Sequence, residues 1–195
     1  MRIQGHIWVL LMLFLMPMAQ VTAQPEPFNI VTTTTQATDL VTILLQDADG
    51  LMITPLMGAG VDPHLYQPTE ADIQAMNGAD LIVYSGLHLE GQFDTIFEAL
   101  GEQGMRIFSL AAPVKNAGFI VGGFDLSDEL VNVDDPHFWF EPRNWEISTL
   151  ALAEALTELD PANADIYLAN AQAYVAQLQA LFDWVDAGMR SVAAE

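Results

Sequence analysis

The 195-residue chain carries 26 acidic side chains against 5 basic ones, a formal charge of −21, and hydrophobic residues make up 52% of it. That charge makes nucleic acid and anionic lipid poor partners, because their phosphates are repelled. The apolar content excludes disorder, and the lack of any cysteine excludes disulfides.

Arg2 and His6 precede an apolar run over 7–18, shorter than the roughly 20 residues a spanning helix needs. Val21-Thr22-Ala23 then supplies small residues, so residues 1–23 read as a secretory signal peptide cut after Ala23. No other segment has the length to cross a bilayer, so the mature chain is expected to be exported, without stable membrane insertion. With no cysteine near the cleavage position, no lipid anchor is expected.

After a short linker at 24–27, Phe28-Asn29-Ile30-Val31 and the threonines at 32–35 predict a first strand. Val41, Leu44, Leu45 and Ala48 recur at helical spacing, and Asp49-Gly50 is expected to end that helix. Residues 51–56 predict a second strand. Thr69-x-x-Asp72 has the spacing of a capping box and opens a helix with Ile73 and Met76 inward. Residues 79–84 predict a third strand, apolar throughout but for Asp80, as in a strand covered on both faces. Phe93, Ile96, Phe97 and Leu100 predict a further helix, and 105–110 a fourth strand.

This alternation implies right-handed crossovers and an α/β lobe with a four-stranded parallel sheet flanked by helices. Ligands of such sheets sit beyond the carboxyl ends of the strands. The pattern weakens over 111–135, where a hairpin or edge strand is expected at 118–123. Asp125, Asp128, Glu129, Asp134 and Asp135 follow, as a solvated loop or a cation-steering one. Asn144 is expected to cap a helix carrying Leu152, Leu156 and Leu159. Asp160-Pro161 opens a last helix reaching to about residue 191, roughly 45 Å long. That length exceeds what one lobe needs, and the chain is expected to be the N-terminal portion of a longer protein. Trp145, Trp184 and the methionines read as packing residues.

One stretch recurs. Asp62-Pro63-His64-Leu65-Tyr66-Gln67-Pro68 returns as Asp135-Pro136-His137-Phe138-Trp139-Phe140-Glu141-Pro142. In each copy proline stiffens the loop and holds the preceding aspartate extended. His64 and His137 are therefore candidate ligands of one divalent metal in a shared cleft. The plainer alternative is two solvent-facing histidines after ordinary Asp-Pro turns. Tyr66, Phe138 and Trp139 are expected to wall the pocket or fill the core, and His88 to be a surface or capping histidine.

With Val61-Asp62-Pro63-His64-Leu65-Tyr66-Gln67-Pro68-Thr69, Asp135-Pro136-His137-Phe138-Trp139 and the segment from Ala79 through Tyr84-Ser85-Gly86-Leu87-His88-Leu89 to Glu90, the chain resembles the solute-binding proteins of zinc and manganese ABC transporters. The resemblance covers nearly all of 28–195. It implies two α/β lobes joined by one long helix, so residues 24–160 would be the N-terminal metal-binding lobe and 161–195 the linking helix. It implies metal ligation by His64 and His137, with two more ligands from a second lobe outside this chain. The ion, Zn2+ or Mn2+, would be a transported ligand, with no organic cofactor. The partners would be an ABC permease and its ATPase, and the protein a monomer in the periplasm and not an enzyme. Two alternatives stand beside this: an adhesin or interaction module on the same fold, and an exported metallohydrolase with Glu141 or Asp135 as base. The latter lacks a paired-His motif or nucleophile elbow.

Overall fold

Side-chain alternation in the strands decides the layering. The computed structural model describes residues 27–119, 122 and 133–192. Strands β1 (Phe28–Thr32), β2 (Leu51–Pro55), β3 (Leu81–Tyr84) and β4 (Ile107–Ser109) form one parallel sheet in the order β2-β1-β3-β4. Ile30 pairs with Leu81 and Val31 with Ile82. Because successive side chains point to opposite faces, Ile30, Leu81 and Val83 enter one core, and Val31 and Ile82 the other.

Each face is covered by helices. Helices α2 (Glu70–Asn77) and α3 (Asp94–Glu102) bury Met76, Phe97 and Leu100 against Val31 and Ile82, together with Phe93. The opposite core joins α1 (Thr35–Leu44), α4 (Ala111–Asn116), α5 (Pro142–Leu159) and α6 (Ala164–Val192). Leu40, Val41, Leu44, Leu152, Leu156 and Tyr167 are fully buried there. Burying one such side chain contributes about 1.5–3 kcal/mol, so this larger core holds the sheet and the helical layer as one unit. Among the described residues, no helix is long and apolar enough to cross a membrane.

The predicted strands and the crossovers between them are present, with ends shifted by at most three residues. Three local expectations are corrected, and one short helix is added. The first helix starts at Thr34, whose hydroxyl accepts from the Ala37 N–H, and stops at Leu44, well before Gly50. Asp47 takes a left-handed backbone just beyond its end (φ 64°), and Asn170 of α6 donates its amide to the Leu44 and Gln46 carbonyls at 3.0 and 2.8 Å. Asn144 does not cap α5. Pro142 occupies the first turn and the Glu141 carboxylate accepts from the Arg143 N–H, so Asn144 sits buried inside the helix. Helix α4 is not predicted, being six residues with a proline and too short for a readable period. Trp184 is 74% exposed, and Met52 and Met189 are exposed as well, so these three do not pack against the described residues.

Asp160 and Pro161 do open the last element, as a 3-10 turn over Pro161–Asn163 that runs into α6. The Asp160 carboxylate accepts from Asn163 Nδ2 and from Tyr167 Oη. Burial and that carboxylate push the Tyr167 phenol far up. At 1.5 Å per residue, the 29 residues of α6 run about 44 Å. The signal segment, half of the expected 118–123 hairpin, and Asp125, Asp128 and Glu129 lie outside the described residues.

Candidate metal site

All four strands are parallel, so the loops that follow them leave from one edge of the sheet. Beyond β2 the chain stays attached to β1, since the Leu56 and Met57 N–H groups donate to the Thr32 and Thr33 carbonyls. It then turns through the first repeat. The second repeat follows the β4–α4 segment and ends on α5. Phe138 is buried in the core, the Asn144 amide donates to its carbonyl at 3.2 Å, and Ser148 Oγ donates to Leu110 O at 2.7 Å. The second loop is thereby tied to the carboxyl end of β4.

The two imidazoles converge. The His64 and His137 ring centroids lie 5.5 Å apart with their planes tilted by 53°. A tetrahedral metal with nitrogen ligands at about 2.0–2.1 Å sets two imidazole centroids about 5 Å apart. The observed spacing is therefore what a shared ion asks of two such ligands. Both residues are exposed, which suits exchange of an ion with solvent. Trp139 and Phe140 flank His137 at 5.3 and 6.4 Å between centroids. Leu65 and Phe140 rim the site with large exposed apolar side chains. Among the described residues, no group of three or more His, Asp or Glu side chains gathers in metal-binding geometry.

The local turn is the same in both repeats. Asp62 Oδ1 accepts the His64 N–H at 2.9 Å, and Asp135 Oδ1 accepts the His137 N–H at 2.9 Å. Aspartate held extended by the following proline makes this side-chain turn the local solution. Only in the second repeat does the carboxylate also reach the ring, with Asp135 Oδ1 2.8 Å from His137 Nδ1. The backbone N–H and then the ring nitrogen of His137 hold the Asp135 carboxyl below its ordinary range.

The His64 loop is braced from behind. The Thr69–Asp72 capping box forms in full, and Asp72 Oδ2 also accepts the Tyr66 hydroxyl at 2.9 Å. The Tyr66 ring stacks on Phe93 at 5.9 Å. Phe93 ends the 3-10 turn that follows Glu90. The Glu90 carboxylate is buried between the ends of β1 and β3, accepting Thr33 Oγ1 (2.7 Å), the Ser85 N–H (2.8 Å) and the Gly86 N–H (3.1 Å). It fills the crevice where strand order reverses, the usual ligand position in open parallel sheets. Neither histidine takes part in these contacts.

Sequence reasoning did not single out Glu90 or Asp72 as supports. The signal for Asp72 was the capping spacing itself. Glu90 had none, since an acid after a glycine-containing loop reads as solvated. The sequence offers Asp135 as a loop acid, as the aspartate of the repeat and as a candidate base, but not as a partner of the His137 ring. His88 is 75% exposed at its side chain and pairs with Asp94 at the start of α3, the surface position of the two expected for it. Tyr66 and Trp139 are half-buried, and Trp145 is buried.

A family described as zinc-uptake complex component A, periplasmic, matches residues 30–195. The chain is 33% identical over 132 residues to the manganese-binding lipoprotein MntA of Bacillus subtilis, covering 68% of this chain and 41% of that protein. It is 36% identical over 141 residues to the zinc-binding protein TroA of Treponema pallidum, covering 72% and 43%. The solved TroA structure superposes with a TM-score of 0.71 at 32% identity, over 85% of this chain and 56% of that one. The iron-binding protein YfeA of Yersinia pestis is 30% identical over 159 residues, covering 80% and 47%. The chain thus spans under half the length of these curated relatives. Several relatives are named lipoproteins, which runs against the expectation of an unanchored protein.

Proposed function

This chain belongs to the family of periplasmic zinc-uptake component A proteins, the metal-binding substrate-binding proteins of ABC transporters, and on that premise we propose that His64 and His137 capture a divalent transition metal for delivery to a membrane permease. The observation that carries the reading is the 5.5 Å separation of two imidazoles brought from separate loops to one edge of the sheet. Their nitrogens replace water on the ion, and no bond of a substrate is made or broken. Imidazole donors must be neutral to bind, so acid weakens capture.

Residues 24–160 act as the N-terminal metal-binding lobe, and α6 links it to a second lobe that supplies the remaining ligands. Two features support this: the exposed apolar side chains on the last part of α6, including Trp184, Met189 and Val192, and the greater length of the relatives. Zinc and manganese are the first ions to test, with ferrous iron added by the relative named for it. Two imidazoles alone rank copper and zinc above manganese, so selectivity rests on the further ligands. The loaded protein works extracytoplasmically as a monomer and docks on a permease driven by its ATPase.

Titration of the full chain with zinc and with manganese tests the site. His64→Ala and His137→Ala are each expected to weaken zinc binding at least tenfold while leaving the far-UV circular dichroism unchanged. If both variants bind as the parent does, the site assignment is wrong.

A further inference from the structure

The two halves of the repeat are not equivalent, and the difference lies in one carboxylate. Asp62 and Asp135 make the same turn onto the backbone N–H two residues on. Asp135 Oδ1 alone also stands 2.8 Å from a ring nitrogen, Nδ1 of His137. Among the described residues, the His64 ring has no such partner. A carboxylate only accepts at neutral pH, so the proton of the neutral His137 ring must sit on Nδ1. Which ring nitrogen stays free for a metal is set by the hydrogen bond that the other makes. His137 Nε2 is therefore left with its lone pair unprotonated.

We propose that Asp135 is a positioning residue that holds His137 as its Nδ1–H tautomer, so that Nε2 is a ready metal donor before any ion arrives. Free histidine favours the opposite form, with the proton on Nε2. Without Asp135, His137 must move that proton and reorient before it binds through Nε2. The short turn makes the arrangement rigid: one oxygen takes both the backbone and the ring N–H of the same residue, which fixes the side-chain torsions as well as the tautomer. Phe140 and Trp139 close the ring in from its sides. The two ligands then differ in role. His137 is the preset arm, and His64 adjusts to the ion that His137 already holds. An outer carboxylate of this kind typically changes metal affinity by about 10–100-fold.

The inference rests on the metal-binding reading, but its first test needs no metal. Long-range 1H–15N correlation of the metal-free full chain, at a pH where its histidines are neutral, reports the tautomer of each ring. The parent is expected to show His137 with the proton on Nδ1. Asp135→Ala is expected to switch it to the Nε2–H form and to weaken zinc binding by about 10–100-fold. Asp135→Asn, whose amide oxygen still accepts both N–H groups, is expected to keep the tautomer and recover most of the affinity. Asp62→Ala leaves the His137 tautomer as it is. A parent His137 protonated on Nε2, or an Asp135→Ala variant unchanged in tautomer and affinity, overturns the proposal. A parent with the stated tautomer that binds no zinc refutes the metal-binding function and the role built on it, and leaves the hydrogen bond standing.

Discussion

Replacing Glu90 probes the brace behind the His64 loop. Its carboxylate is 1% exposed and accepts from three donors, Thr33 Oγ1, the Ser85 N–H and the Gly86 N–H. In Glu90→Gln a single oxygen remains. It keeps Thr33 and Ser85, and the amide nitrogen then meets the Gly86 N–H, donor against donor. One buried donor left without an acceptor costs about 1–3 kcal/mol, a large part of a domain stability of about 5–15 kcal/mol. Glu90→Ala strips all three donors and opens a cavity, so it is expected to cost at least about 2 kcal/mol more. Urea unfolding followed by circular dichroism reads both, with the slope checked for two-state behaviour.

The pH dependence gives a second reading of the same residue. Burial pushes the Glu90 carboxyl above its ordinary range, and its hydrogen bonds pull it back only in part. With the folded-state value raised, the folded protein holds a proton that the unfolded chain releases. The parent therefore loses stability as pH rises from about 4.5 through the raised value. The glutamine variant has nothing to titrate there. Its deficit relative to the parent is expected to be largest at the acid end and to narrow towards neutral pH. A deficit under about 0.5 kcal/mol at the acid end, within the range of ordinary surface changes, or one that widens with pH, refutes the reasoning.

Asp72→Ala removes half of the capping box and the anchor of the Tyr66 hydroxyl. A cost of about 1–2 kcal/mol is expected from the cap, with a several-fold loss of zinc affinity by isothermal titration. In the His64→Ala background that affinity loss disappears, and an undiminished loss there would separate Asp72 from the His64 loop. Trp184→Ser on the exposed part of α6 is expected to change the thermal unfolding of this chain by less than the equivalent of about 0.5 kcal/mol. A loss of several kcal/mol would mean that this face is packed.

Strand and helix order was legible in the residues because each element has its own short period. Ile30-Val31 and the 81–84 run alternate between two buried faces, and Thr69-x-x-Asp72 encodes its cap locally. The parallel sheet follows from those elements, since strands separated by helices leave few other connections. The pairing of the histidines was legible as a repeated turn, because Asp-Pro-His defines the backbone that carries the ring.

What depended on residues far apart in sequence had to wait for three dimensions. Carbonyls at the end of α1 are taken by the amide of Asn170 from another helix, and no local signal near Gly50 records that contact. Glu90 looks like any solvated acid until two strand ends close around it. The repeat wrote the same turn twice, but only the fold decided that one aspartate reaches its ring and the other stops at the backbone. Local chemistry writes each loop, and packing over the whole chain decides the distance between two loops; here that distance makes two turns one candidate site.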